Sequence, residues 1–276
     1  MSPQLPADIA STVRRALNED IGTGDITAEL LPPDLAASAV VLCRESAILC
    51  GIPWFNEVYK QLDAAVVVTW QCNEGAAIHA DQNICSLQGS IRSLLTGERT
   101  ALNFLQLLSG TATVTNQFVK LLQGTKTKLL DTRKTIPGLR TAQKYAVACG
   151  GGTNHRMGLY DAILIKENHI RAAGGIAAAI TRAKTLHRQV EIEVENLAGL
   201  DEAIGAGANR VLLDNFNIEQ IREAVDLNAG RSLLEVSGGV DLEMLQTIAA
   251  TGVDFISVGA LTKHVRAIDF SMRIVG

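Results

Sequence analysis

The 276 residues, 47% of them hydrophobic, suffice for one large α/β barrel or two ordinary domains with a substantial core. A formal net charge of −4 excludes a general nucleic-acid binder, and no uncharged apolar run approaches the length of a membrane span. Five cysteines (Cys43, Cys50, Cys72, Cys85, Cys149) form an odd set without zinc or C-x-x-C spacing, and the opening Met1–Pro6 has neither a basic n-region nor an apolar h-region, so reduced thiols in the cytoplasm are the expected setting.

Ile9, Val13, Ala16 and Leu17 recur at helical spacing and predict a helix over Ile9–Glu19, closed by the glycine-punctuated turn Asp20–Asp25. β-branched runs predict strands over Ser38–Cys43, Ala65–Trp70 and Asn83–Leu87, with a helix opening at Gly51-Ile52-Pro53-Trp54. Short strands at irregular spacing, with a helix or two, predict an α+β domain, expected over residues 1–106. From Ser90 to Leu108 the pattern is a long helix with Leu94, Ala101, Leu105 and Leu108 on one stripe. Arg99 lies at that stripe's edge, read either as a solvated arginine snorkelling past apolar surface or as one lent across an interface.

After Thr127 the organisation changes. Apolar strands are predicted at Lys128–Leu130, Ala162–Ile165, Val190–Val194, Arg210–Leu213, Leu233–Val236 and Phe255–Val258. Between them lie helical stretches such as Ile176–Leu186, Ala198–Ile204, Ile218–Val225 and Leu242–Ala250. Regular βα alternation predicts a parallel sheet and favours an irregular, TIM-like α/β barrel, with six strands in place of eight, over residues 107–267. The tail 268–276 is expected to pack on the first domain.

The residues just past these strands are Thr132-Arg133-Lys134, Lys166, Glu195-Asn196, Asp214-Asn215, Ser237-Gly238-Gly239 and Gly259-Ala260. In a parallel barrel all of them face one mouth, where ligands bind. Taken singly, each is as readily a helix cap or a turn; six in register point to a site. Arginine forks suit bidentate contacts to carboxylate or phosphate, and lysines supply mobile charge, so the mixture predicts a substrate pair with more than one kind of anionic group. Glu195 and Asp214 are suited to ribose hydroxyls, to Mg²⁺ or to a developing cation, and the late glycine turns to a phosphate. Gly150-Gly151-Gly152 allows the backbone of Thr153-Asn154-His155-Arg156 to approach a ligand closely. His155, beside Arg156 and near Arg133, is read as an anion donor. Lys166 is open to two readings, a Schiff-base nucleophile or a positive contact to substrate.

The segments Asp131–Thr135, Gly151–Arg156, Ile165–His169, Glu193–Asn196, Leu213–Phe216, Glu235–Gly239 and Ser257–Thr262 resemble those of the quinolinate phosphoribosyltransferases, the carboxylating nicotinate-nucleotide pyrophosphorylases. The likeness extends to Glu19-Asp20, Asp25–Thr27 and Gly97–Asn103, and so covers nearly the whole chain. It implies an amino-terminal sandwich domain, an irregular barrel, and a homodimer in which the neighbour completes each site. It further implies that quinolinate and phosphoribosyl pyrophosphate give nicotinate mononucleotide, pyrophosphate and CO₂ in de novo NAD synthesis. By this resemblance Arg133, His155 and Arg156, assisted by Thr132, hold the quinolinate carboxylates, and Arg99 arrives from the other subunit. Lys134 and Lys166 serve phosphoribosyl pyrophosphate and the charge between the substrates, Glu195 and Asp214 the ribose hydroxyls and Mg²⁺, and Ser237, Gly238, Gly239 and Gly259 the 5′-phosphate. The rival expectations are a phosphoribosyltransferase for another heterocyclic acid, a lyase using Lys166, and a non-catalytic sensor of phosphorylated sugars.

Overall fold

The computed structural model describes residues 3–275; Met1 and Ser2 of the expected first domain, and Gly276 of the expected tail, lie outside the described residues. In chain order come helix Ile9–Ile21 (α1), strands Ala36–Cys43 (β1) and Ala47–Ile48 (β2), helix Ile52–Leu62 (α2), strands Val67–Trp70 (β3), Ala77–Ile78 (β4) and Asn83–Ser90 (β5), and helix Ile91–Leu121 (α3). Next are strand Lys128–Leu130 (β6), helix Arg140–Cys149 (α4), strand Ala162–Ile165 (β7), and helices Glu167–Ala173 (α5) and Ile176–Lys184 (α6). Strand and helix then alternate through Gln189–Val194 (β8), Leu197–Gly205 (α7), Arg210–Asp214 (β9), Ile218–Asn228 (α8), Leu233–Ser237 (β10), Leu242–Ala249 (α9), Phe255–Ser257 (β11) and Ala260–Lys263 (α10), before the last strand Phe270–Val275 (β12).

One compact unit comprises the chain up to Asn116, residues Thr135–Gly151, and the chain from Leu261 onward. Its antiparallel sheet has the order β12-β1-β5-β3, with Cys43 opposite Phe270 and Val41 opposite Cys85. Alternation along β1 buries Ala39, Val41 and Cys43 on one face, where they join Trp54, Phe55, Val58 and Tyr59 of α2. Each large side chain buried in this way contributes roughly 1.5–3 kcal/mol. The predicted stripe of α3, Leu94, Ala101, Leu105 and Leu108, is wholly buried. That helix continues past its expected end because its small residues are held by contacts: Ser109 Oγ accepts from Cys50 N at 2.9 Å and donates to Cys50 O at 3.1 Å. A methyl at Gly110 would meet Arg266 O at 2.2 Å. Tertiary contact here overrides the weak helix propensity of Ser, Gly and Thr.

The second unit comprises Gln117–Lys134 and Gly152–Ala260. Its six parallel strands lie in the order β6-β11-β10-β9-β8-β7, an irregular α/β barrel built from all six predicted strands. Each βα crossover places its strand beside the preceding one, except that β6 pairs with β11 at the far end of the sequence. Among the described residues β6 and β7 are not paired with each other. The segment 153–156 lies at this seam. Thr153 N donates to Leu129 O at 2.9 Å, Asp131 N donates to Thr153 O at 3.2 Å, and Arg156 Nη1 reaches Ala162 O on β7 at 3.1 Å. Among the described residues no helix is long and apolar enough to cross a membrane.

Candidate active site

Parallel strands present every second side chain to the barrel interior, and their carboxyl ends open on one mouth. There a cleft of about 600 Å³ is lined by Thr132, Arg133, Lys134, His155, Arg156, Lys166, Glu193, Asp214, Ser237, Gly238 and Gly239, among others. Ten of the sequence-predicted residues therefore meet in one place. Gly259 stands just behind, where a methyl would lie 2.9 Å from Lys134 Cδ and would displace that side chain. Glu195 is exposed and is not among the lining residues; the next residue, Asn196, caps α7 by accepting from Gly199 N at 2.9 Å. Arg99 belongs to the other unit, on α3, with an exposed side chain 3.9 Å from Glu98.

The cationic side is fixed by Asp131, fully buried at the end of β6. Its carboxylate accepts from Asn154 Nδ2 at 2.7 Å and from His155 N at 2.9 Å, which ties the segment carrying His155 and Arg156 to the strand carrying Arg133. Burial, and then the charge of Arg133, depress the pKa of Arg156. Arg133 Nε is buried without a hydrogen-bond partner. Two guanidinium groups held together, one with an unanswered donor, form a receptor for carboxylate or phosphate.

Opposite lie the late strand ends. Lys166 opens α5 and its Nζ donates to Glu193 on β8. Burial, reinforced by the Glu193 charge and opposed by Lys166 and Lys134, raises the pKa of Asp214, so this carboxylate would gain from a further cation. Gly238 has φ +105 and Gly239 φ +60, and a methyl on Gly238 would meet Asn215 Oδ1 at 2.2 Å. This turn exposes backbone in the manner of an anion cradle.

Below the mouth lies a charged layer that the strand-end reading did not single out. Arg210 Nε is 2.9 Å from Glu191 Oε1, and its Nη2 donates to Glu235. The guanidinium lies 4.3 Å from the centre of the Phe255 ring. His155 Nδ1 accepts from Arg156 N at 2.7 Å and its Nε2 lies 2.9 Å from Glu191 Oε2, so Nδ1 serves as acceptor and Nε2 faces the carboxylate as donor. Expected as a donor to substrate, this ring is turned toward the protein's own carboxylates. Burial and then repulsion from Glu191 raise the pKa of Glu235 to about 7. Burial also opposes charge on Glu191, but the His155 hydrogen bond and Arg210 outweigh it and hold its pKa below the ordinary value. Glu193, Glu191 and Glu235 had a visible signal: acids inside the strands Val-Glu-Ile-Glu-Val and Leu-Leu-Glu-Val-Ser, where buried parallel strands are otherwise apolar.

Comparison with known proteins adds to this geometry. Residues 25–109 match the model of the quinolinate phosphoribosyl transferase amino-terminal domain, and residues 111–273 that of its carboxy-terminal domain. A nicotinate-nucleotide pyrophosphorylase [carboxylating] of Mycobacterium leprae is 41% identical over 95% of this chain and 95% of its own. A probable nicotinate-nucleotide pyrophosphorylase [carboxylating] of Bacillus subtilis is 40% identical over 93% of this chain and 90% of its own. The solved nicotinate-nucleotide pyrophosphorylase of Francisella tularensis superposes with a TM-score of 0.95 at 56% identity, covering 99% of this chain and 98% of that one.

Proposed function

The chain belongs to the quinolinate phosphoribosyltransferase family, and we propose that the cleft at the barrel mouth is where it carries out that family's reaction. The reaction transfers phosphoribose from phosphoribosyl pyrophosphate to quinolinate with decarboxylation, giving nicotinate mononucleotide, pyrophosphate and CO₂ in NAD synthesis. The observation that carries this reading is the placement of two guanidinium groups, Arg133 and Arg156, in one cleft with the Gly238-Gly239 turn. One end suits a dicarboxylate and the other a sugar phosphate, and both lie in a protein that is acidic overall.

In this reading Arg133 and Arg156 take the quinolinate carboxylates, with Thr132 beside them, and His155 holds Arg156 in place through its backbone. Lys134 and Lys166 face the diphosphate, and Ser237, Gly238, Gly239 and Gly259 receive the 5′-phosphate. Mg²⁺ would be held here together with phosphoribosyl pyrophosphate, offsetting the charge of the diphosphate. Asp214 fits it as a hard oxygen donor with undercompensated charge, and Glu195 stands at the adjacent strand end. Departure of pyrophosphate leaves an oxocarbenium-like C1 that carboxylates stabilise and the pyridine nitrogen traps, so positioning and electrostatics supply most of the catalysis. Lys166 Nζ is engaged by Glu193 in an ion pair, which weighs against its use as an imine-forming nucleophile. Arg99 reaches the site of a partner subunit in a homodimer, and the enzyme works in the cytoplasm.

The deciding experiment measures ¹⁴CO₂ from carboxyl-labelled quinolinate, with and without phosphoribosyl pyrophosphate and Mg²⁺. Release that depends on both supports the reading; release with neither, or none from folded protein, overturns it.

A further inference from the structure

The reaction consumes a proton: when CO₂ leaves C2 of the ribosylated ring, the electron pair left there must be protonated. Arginines do not give up protons at neutral pH, and Lys166 is engaged by Glu193. Glu235 differs from the other acids that line the cleft, Glu193 and Asp214. It is fully buried on β10, yet its Oε1 has no hydrogen-bond partner and lies 3.6 Å from His155 Nε2. A buried, unanswered carboxyl oxygen is the signature of a group kept neutral and able to donate.

The surroundings also show where a replacement proton would enter. A second cleft, of about 690 Å³, opens at the other end of the barrel, where Ala162, Gln189, Arg210 and Leu233 begin their strands. Glu191 lines this rear cleft and not the mouth, whereas Glu235 lines the mouth and not the rear; His155 lines both. Ligating atoms of His155, Glu191 and Glu235 all lie within 4.8 Å of one another. The Arg210 guanidinium, bound to both carboxylates, supplies the positive charge that a metal ion would otherwise bring there.

We propose that Glu235 is the general acid that protonates C2 after decarboxylation, and that Glu191 passes it a replacement proton from water in the rear cleft. This rests on the reaction assigned above. The C–H bond forms with the electron pair left by CO₂ as the Glu235 O–H bond breaks. Glu235 then takes a proton from Glu191, and Glu191 takes one from water, so each turnover draws one proton from solvent. Within the layer, Glu191 on β8, Arg210 on β9 and His155 at the seam face Glu235. The raised pKa of Glu235, caused by burial and by Glu191, keeps its proton available near neutrality.

The test follows pyrophosphate and CO₂ together over a single turnover. In the unaltered enzyme they appear one for one. In Glu235→Gln, release of CO₂ falls about 10²-fold, the scale of a lost general acid, while pyrophosphate still appears and undecarboxylated mononucleotide accumulates as the ring recaptures CO₂. A merely structural residue would slow both products equally. One-for-one release at the unaltered rate in Glu235→Gln overturns the proposal, as does equal slowing of both. Should the variant fail to fold, the unaltered enzyme decides: pyrophosphate outruns CO₂ as alkali ionises Glu235, and a ratio fixed at one overturns the acid. An unaltered chain that releases neither product fails the reaction itself; one that releases both without the split fails the acid alone.

Discussion

Lys166, just past β7, and Glu193, on the neighbouring parallel strand β8, form an ion pair at the barrel mouth in which the lysine is about half exposed and the carboxylate mostly buried. Replacing Lys166 by Gln should remove a contact to the diphosphate and leave Glu193 uncompensated beside Asp214. The expected loss in kcat/KM is about 10–100-fold, the worth of one charge-assisted hydrogen bond. Steady-state kinetics check it, and an unchanged kcat/KM would remove Lys166 from the reaction.

Arg133 carries a buried Nε without a hydrogen-bond partner, and in the proposed reading that donor serves quinolinate. Replacing it by Ala should raise the quinolinate KM steeply, by an amount equivalent to roughly 2–4 kcal/mol of lost bidentate contact, with a smaller effect on phosphoribosyl pyrophosphate. Equilibrium binding of quinolinate to each protein separates this from a defect in turnover.

The exposed Arg99 gives a prediction about assembly. Arg99→Ala and Arg133→Ala should each be inactive alone, yet regain partial activity when unfolded together and refolded as hybrids. Each mixed dimer holds one intact site and one doubly deficient site. Absence of recovery, with hybrids shown to form, would place Arg99 outside the neighbour's site.

The carboxyl of Glu235 titrates near 7 in the fold, against an ordinary 4.5. The folded chain therefore binds this proton more tightly than the unfolded chain does. The stabilising contribution is complete below the ordinary value and is lost as pH rises through about 7. Thermal unfolding should show Tm falling between about pH 5 and about pH 8, at roughly 2–4 °C per kcal/mol lost, and Glu235→Gln should flatten that slope. An identical slope in both proteins would mean that other groups set the dependence.

Short continuous apolar runs, alternating with stretches of helical period, located β6 to β11, because parallel strands buried on both faces read as such runs. The mouth followed from what succeeds each strand, and Thr132, Arg133, Lys134, Lys166, Asp214 and Ser237–Gly239 meet there. The pattern did not show α4, where Gln143 and Lys144 are buried, Gln143 donating to Thr262 O, so that polar residues interrupt its apolar face. Nor did attention to strand ends show Glu193, because the first residue past β8, Glu195, is exposed while the acid two positions earlier points inward. The orientation of His155 depends on a contact with Glu191, and sequence spacing holds no record of such a contact.

The pairing of β6 with β11 bears on how the enzyme is made. Lys128 finds its strand partner at Phe255, and Leu130, besides its bridge to Thr153, pairs within the sheet with Ser257. A ribosome delivers Arg133 and Lys134 long before the strand that must flank them. Contacts this distant in sequence slow folding, since the chain must close a long loop before pairing rewards it. Nascent chains stopped before residue 255 should thus carry the cationic residues without a formed mouth, and binding capacity should arise late and abruptly during synthesis.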